Sequence, residues 1–308
     1  MHEPLIVIRT SWGAGMGTGH AQRMTALGRR LRQRHGITPA FWMDQAPPFM
    51  PEELAATRIS RLPSHAGLVI RDMRDSSHDE IGTLKKTAPV LVIDDMGEGR
   101  ALADHALDLL PVPASSGMKR PSDRDGLFLP GYTFVAALES FHEDTFEKTI
   151  DVLYYAGARA AEGLDEHVRS LMPEDVSCAV FAGGDSYRVK GTARQPISAG
   201  DYVPTMLSSR VLVSHFGLTM YEARACGCEI IGINPSDYHS HLCDIAPPSL
   251  GITNLGAEDG LNYDQARAAI RAALVRAQPG PVRTREVLAA AQESLDSFTE
   301  YLRTIIAF

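Results

Sequence analysis

The chain has 308 residues, of which 44% are hydrophobic and 22% charged, with a formal net charge of -8. A chain of this size and apolar content buries a core as one large domain or two of ordinary size. Its basic residues are scattered, with no Lys/Arg stripe for a nucleic acid backbone or an anionic membrane. The longest apolar runs fall far short of a bilayer span, and the N-terminus lacks the basic region and long apolar core of a signal peptide. The expectation is a soluble cytoplasmic protein. Four cysteines (Cys178, Cys226, Cys228, Cys243) do not make a disulfide framework in a chain this long. Cys226 and Cys228 followed by His239, His241 and Cys243 gather soft ligands, but Cys-x-Cys and His-x-His are not the usual zinc spacings, so no metal is expected.

In chain order, short apolar runs alternate with helical stretches, the pattern of βα units building parallel sheets. Strands are predicted at Leu5–Arg9, Thr38–Met43, Gly67–Arg71 and Val90–Asp94, with weaker ones near Ala106–Leu110 and Leu127–Leu129. The pattern restarts with Ile150–Tyr155, Ser177–Ala182, Arg210–Ser214, Glu229–Ile233 and a last strand at Leu250–Thr253. The polar stretch 139–148 is the natural boundary, giving domains 1–145 and 146–308. In "HAQRMTALGRRLRQR", Met24, Leu27 and Leu31 fall on one helical face and the arginines on the other. The final segment places Leu288, Ala291, Leu295, Phe298, Leu302 and Ile305 on one stripe, to pack on its own chain or on a second copy in a homodimer.

Two glycine turns carry the candidate chemistry. "GAGMGTGH", Gly13 to His20, lies between the first strand and the first helix. It fails the dinucleotide fingerprint in every register and has no lysine for a phosphate loop. What remains is a glycine-rich turn with His20 at a helix N-terminus, over the carboxyl end of a strand, where open α/β sheets bind ligands. A helix N-terminus disfavours a cationic imidazole, so His20 is a candidate general base, beside the equal alternative of a structural histidine. "VSHFGLTMYEARACG" repeats the arrangement, with the N–H groups of Gly217, Leu218 and Thr219 and a hydroxyl available to a diphosphate. One turn on, Glu222 on the helix surface suits two vicinal hydroxyls, such as those of a ribose. A plain macrodipole glutamate is the other reading.

Together these stretches resemble the nucleotide-sugar hydrolases of the pseudaminic acid pathway and their spore-coat polysaccharide relatives, whose signature is Arg-x-Asp-x5-Gly-x-Gly-His-x2-Arg. Arg9, Gly17, Gly19, His20 and Arg23 match it in register. "PVLVIDDMGEGRALADHALDLLP" is similar to that family's Asp-Asp segment, and "SHFGLTMYEARACGCEIIGINPSDYHSHL" to its nucleotide-binding signature, shared with the lipid II-forming N-acetylglucosaminyltransferase. The resemblance implies an α/β GT-B architecture, two Rossmann-like lobes facing a cleft, acting on a nucleoside-diphosphate sugar. It implies UDP on the C-terminal lobe, with Gly217, Leu218 and Thr219 at the diphosphate and Glu222 at the ribose, and His20 facing the anomeric carbon. Water would displace UDP with inversion, without metal or cofactor.

Several positions depart from the pattern. Ser11 stands where the first motif has aspartate, a loss that Asp94 or Asp95 could offset. "YYAGAR" puts Ala156 and Arg159 around Gly157 where the family has glycine and aspartate; Arg159 would reach a phosphate or a carboxylated sugar. Tyr238 and His239 take the place of an Asn-Gln pair, and His239 donates as glutamine does. A hydrolase of a different sugar nucleotide, a glycosyltransferase with the same nucleotide site, and a non-catalytic binding protein all fit these changes.

Overall fold

A computed structural model describes residues 5–13, 18–73, 75–111, 133, 135–142, 144–157, 163–182, 185–190, 193–278 and 280–306. Its contacts divide the chain into two units: the described residues of Met1–Leu110, Ala114–Thr133 and Gln292–Phe308, and those of Pro111–Pro113 and Phe134–Ala291.

The first unit is built on β1 (Leu5–Thr10), β2 (Ala40–Trp42), β3 (Arg58–Ile59), β4 (Ala66–Asp72), β5 (Val90–Ile93) and β6 (His105–Leu107). All pairings are parallel, in the order β3-β2-β1-β4-β5-β6. Ile6, Val7 and Ile8 are all buried although alternate residues face opposite ways, because helices cover both faces of such a sheet. The strand order reverses between β1 and β4, the switch point at which open α/β sheets take ligands.

Helix α1 (Gly19–His35) buries Ala21, Met24, Leu27 and Leu31. It ends on Gly36 in the left-handed region (φ 71°), whose N–H caps the Arg32 carbonyl. Two short helices follow, α2 (Glu52–Ala55) and α3 (His78–Lys85), the latter capped by Ser77, whose side chain accepts from the Glu80 N–H.

The second unit opens with α4 (Val135–Ser140) and β7 (Thr145–Phe146), so the polar boundary region carries structure of its own. Its sheet comprises β8 (Ile150–Gly157), β9 (Cys178–Ala182), the hairpin β10 (Asp185–Lys190) and β11 (Ala193–Pro196), then β12 (Ser209–Ser214), β13 (Glu229–Asn234) and β14 (Ile252–Ala257). The order is β11-β10-β9-β8-β12-β13-β14. The hairpin pairs antiparallel and the rest parallel, and the reversal falls between β8 and β12. The helices are α5 (Leu164–Leu171), α6 (Tyr202–Leu207), α7 (Leu218–Ala225), α8 (Asp237–Asp244) and α9 (Tyr263–Arg276). Val168, Leu171, Ala266, Ile270 and Ala273 of α5 and α9 pack in one cluster with Val152, Val180, Val211 and Ile231 of the sheet. A two-residue strand, β15 (Val282–Arg283), pairs with β7 before α10 (Thr284–Ile305).

Helix α10 packs on its own chain. Ala291, Leu295, Phe298 and Leu302 are buried as the stripe predicts, whereas Leu288 and Ile305 are only half-buried. Arg30 of α1 forms a two-pronged ion pair with Asp296, at 2.6 and 2.8 Å, and the ring Nε2 of His35 lies 3.0 Å from the Thr299 hydroxyl. The strand expected at Leu127–Leu129 lies outside the described residues; β3, β7, β15 and the hairpin were not predicted.

Gly28 sets how closely α1 approaches β2, since a Cβ there would stand 2.8 Å from Cζ of buried Phe41. Gly82 of α3 has nothing within 4 Å of that position. Helix propensity favours Ala over Gly by about 1 kcal/mol, whereas overpacking a core costs about 1–3 kcal/mol. Gly28→Ala is therefore expected to lower the urea midpoint and Gly82→Ala to raise it; equal and positive shifts would show that α1 yields freely.

Candidate functional site

In the first unit α1 follows β1 in the chain, with His20 in its first turn and no side-chain cap at Thr18. The first backbone N–H groups of α1 are thus the orphan donors that every helix N-terminus leaves. His20 and Arg23, three apart, share one face of the helix. His20 Nδ1 lies 2.7 Å from Oδ1 of Asp72, the last residue of β4. Arg23 grips the same carboxylate with both arms of its fork: Nε donates to Oδ2 at 2.5 Å and Nη2 to Oδ1. Nη1 of Arg23 donates at 2.7 Å to Oδ2 of Asp94, which follows β5. The His20 side chain is 24% exposed, Arg23 3% and Asp72 0%. Burial is the largest influence on the Asp72 carboxyl and raises its pKa. The Arg23 charge and the hydrogen bonds from Arg23 and His20 outweigh it and hold the carboxyl below its usual range.

Asp94 occupies the left-handed region (φ 48°), which Asp tolerates better than most residues. Its Oδ1 accepts from the backbone N–H groups of Leu109 and Leu110, at 2.7 and 3.0 Å. The structure thus brings His20, Arg23 and Asp94 together around Asp72.

The other first-unit positions have different surroundings. Asp95 is wholly buried: Oδ1 accepts from the Ser76 and Gly97 N–H groups and Oδ2 from Arg71. It closes a loop and is not offered to a ligand in place of the motif aspartate. Arg9 stacks over Trp42, 3.9 Å from the ring centre, and meets Glu80 at 3.4 Å; Glu80 also takes the Arg71 fork at 3.0 Å on both arms. No hydrogen bond among the described residues joins Arg9 to His20. Gly19 opens α1, and Gly17 lies outside the described residues. Arg23 is neither a helix-surface residue nor free for a ligand: its guanidinium is a buried bridge.

Asp72 was missed from the sequence. The signal was present, because an apolar run that ends in aspartate places that carboxylate at the carboxyl edge of a buried parallel strand.

In the second unit, Gly217 is the N-cap of α7, and Leu218 and Thr219 form its first turn. The Phe216 N–H donates to Asn234 Oδ1 at 2.9 Å, fixing the turn. Glu222 is 6% exposed, so it does not stand on the helix surface as its position suggested. It lies among aromatic hydroxyls: burial first, and then the Glu222 charge, raise the pKa of Tyr155; burial, the Tyr155 charge and the Glu222 charge do the same for Tyr202. Tyr155 packs against Tyr202 with ring centres 5.1 Å apart and stacks on His215 at 6.5 Å.

Gly157 is at φ 65°, and a Cβ there would approach His215 Cε1 to 2.9 Å, so backbone and imidazole touch where Ala156 and Gly157 end β8. Arg159 lies outside the described residues. A cavity of about 170 Å³, not anticipated from the sequence, opens at this edge with Tyr154, His167, Ser214, His215 and Glu258 in its wall. His239 is half-buried in the first turn of α8, with Nδ1 2.9 Å from the Ser236 hydroxyl, and burial lowers its pKa; Tyr238 beside it is 51% exposed. All four cysteines are buried, and that burial pushes each thiol pKa up.

With two Rossmann-like parallel-sheet units, the chain has the GT-B type of α/β fold. No family model matches it, and no curated protein matches it in sequence. Solved structures match along nearly the whole length. MnaA from S. aureus in complex with UDP is 11% identical, covers 99% of this chain and 98% of its own, and gives a TM-score of 0.56. The UDP-GlcNAc 2-epimerase of Neisseria meningitidis bound to UDP-GlcNAc is 10% identical over 98% of this chain and 100% of its own, with a TM-score of 0.53. The spinosyn rhamnosyltransferase SpnG with thymidine diphosphate is 12% identical over 96% of both chains, with a TM-score of 0.51. At such identities the likeness shows the fold. Among the described residues, no helix is long and apolar enough to cross a membrane.

A depressed carboxyl pKa stabilises the fold above the unfolded value, about 3.9, and that contribution is lost as pH falls through the folded value. Asp72→Asn also leaves Arg23 with half its charge compensation, a loss on the order of 3 kcal/mol. Urea midpoints of the variant are expected to lie below wild type at neutral pH and to converge with it in acid. A constant gap down to about pH 2 would show that Asp72 does not titrate in this way.

Proposed function

We propose that the protein hydrolyses a nucleoside-diphosphate sugar, with UDP the first nucleotide to test. The observation that carries this reading is a partly exposed imidazole, His20, at the switch point of the first sheet and 2.7 Å from a fully buried carboxylate. A helix N-terminus at the switch point of the second sheet supports it, since the orphan N–H groups of Gly217, Leu218 and Thr219 suit a diphosphate. The matched structures named above hold UDP, UDP-GlcNAc and thymidine diphosphate, which supports a nucleoside diphosphate as the ligand class.

In this reading His20 takes a proton from water. The water oxygen bonds to the anomeric carbon, and the carbon–oxygen bond to the diphosphate breaks with its electron pair leaving on the nucleotide. Positioned N–H donors stabilise the charge on the leaving group, and neither a metal nor a cofactor is assigned a part. Asp94 supports the imidazole through Arg23; Asp95 holds the neighbouring loop. Glu222 is the ribose anchor, reached from its buried place beside Tyr155 and Tyr202. Gly157 and His239 line the ligand edge of the second unit, and Arg9, Gly17, Gly19 and Arg159 are assigned to substrate by the motif they match.

A glycosyltransferase using an acceptor hydroxyl in place of water is the second reading, supported by the match to the rhamnosyltransferase. Phosphorus NMR of UDP-, GDP- and CMP-linked sugars, incubated without acceptor, separates the cases. Free nucleotide from wild type and a loss of about 10²–10⁴-fold in His20→Asn are expected. Intact sugar nucleotides that turn over only when an acceptor is added make it a transferase; intact ones under every condition sink both readings. Glu222→Ala is expected to weaken UDP binding by about tenfold, the cost of one charge-assisted hydrogen bond, as read by calorimetry. Unchanged affinity removes the ribose assignment.

A further inference from the structure

The imidazole of His20 is held by a chain of charges rather than by one contact, and the distances decide how it is held. Nδ1 has two polar neighbours: the Asp72 carboxylate at 2.7 Å and Nη2 of Arg23 at 3.4 Å. A carboxylate only accepts and a guanidinium only donates, so each demands the opposite tautomer. The carboxylate is closer by 0.7 Å, the difference between a short charge-assisted bond and the limit of a hydrogen bond. Nδ1 therefore carries the proton, and Nε2 is left as the acceptor. Among the described residues nothing else bonds to Nε2.

We propose that Asp72, Arg23 and Asp94 are positioning residues that lock His20 in the Nδ1–H tautomer and aim Nε2 away from the sheet as its sole proton acceptor. Asp72 cannot turn, because the Arg23 fork occupies both oxygens. Arg23 cannot turn, because Asp94 holds its third nitrogen at 2.7 Å, and Asp94 is itself pinned by two backbone N–H groups. The lock has a second effect. Two carboxylates against one guanidinium leave a net negative charge beside the ring, and it compensates the imidazolium formed when Nε2 takes a proton. The meaning of the lock for catalysis rests on the hydrolase reading, but its existence does not.

The test reads the tautomer directly. In long-range proton–nitrogen NMR of the uniformly ¹⁵N-labelled protein at alkaline pH, His20 is identified by the signals that His20→Asn removes. Nδ1 is expected to show the shift of a protonated ring nitrogen and Nε2 that of a bare one. The reverse pattern, or an averaged pair of shifts, overturns the proposal, and this holds for wild type whether or not any variant folds. In Asp72→Asn, whose amide can donate to Nδ1, the two signals are expected to exchange or average. A variant spectrum identical to wild type removes Asp72 from the role. Where turnover is seen, Asp72→Asn is expected to lower kcat by about 10²-fold or more with KM within about twofold. A rise in KM at unchanged kcat makes it a binding residue instead. A fixed tautomer in a protein that hydrolyses nothing leaves the lock standing and dismisses only the hydrolase reading.

Discussion

The buried guanidinium of Arg23 is the group on which the first unit depends. A charge so enclosed is tolerated only when its partners are in place, and those partners come from separate elements: Asp72 from the end of β4, Asp94 from beyond β5. Arg23 itself rides on α1, which must therefore sit with its first turn over the edge of both strands. The same requirement explains why Asp94 accepts a left-handed backbone. Its carboxylate has to meet Arg23 on one side and the Leu109 and Leu110 N–H groups on the other, and those bonds outweigh a conformational cost of order 1–3 kcal/mol.

The two units share an architecture and use it differently. In the first, the carboxyl edge of the sheet is a network of fixed charges with one partly exposed imidazole at its end. In the second, the corresponding edge is made of rings: Tyr155, Tyr202 and His215 pack together beside a buried glutamate and a backbone turn that only glycine fits. Fixed charges suit proton transfer, which needs a defined donor and acceptor. Rings and bare backbone suit the holding of a flat or extended ligand, which needs area and N–H groups.

How far these features were legible follows from what each residue contributes to the pattern. Strands such as Val90–Ile93 and Ser209–Ser214 were readable because parallel strands buried on both faces appear as unbroken apolar runs. Two-residue strands such as Arg58–Ile59, and the polar hairpin with exposed Ala193–Pro196, carry no such run. Asp72 was overlooked because a single aspartate after an apolar stretch looks like the start of a loop, and only the fold reveals that it faces a helix arriving from 49 residues earlier. Glu222 was placed on the surface for a related reason. Met220, Tyr221, Glu222 and Ala223 are all buried, so the helix has no outward face in that stretch, and periodicity does not tell a polar surface position from a polar interior one.

Helix α10 carries the chain back to the first unit, where Asp296 meets Arg30 across a separation of 266 residues. On the ribosome, synthesis proceeds from the N-terminus at a few to some tens of residues per second. The first unit is therefore made early and completed last: through most of translation, Arg30 and His35 of α1 lack the Asp296 and Thr299 partners that meet them in the finished fold. A nascent chain halted just before residue 292 leaves that part of α1 without its partners while the second unit already has nearly its whole sequence, so the first unit is the later of the two to gain its final contacts.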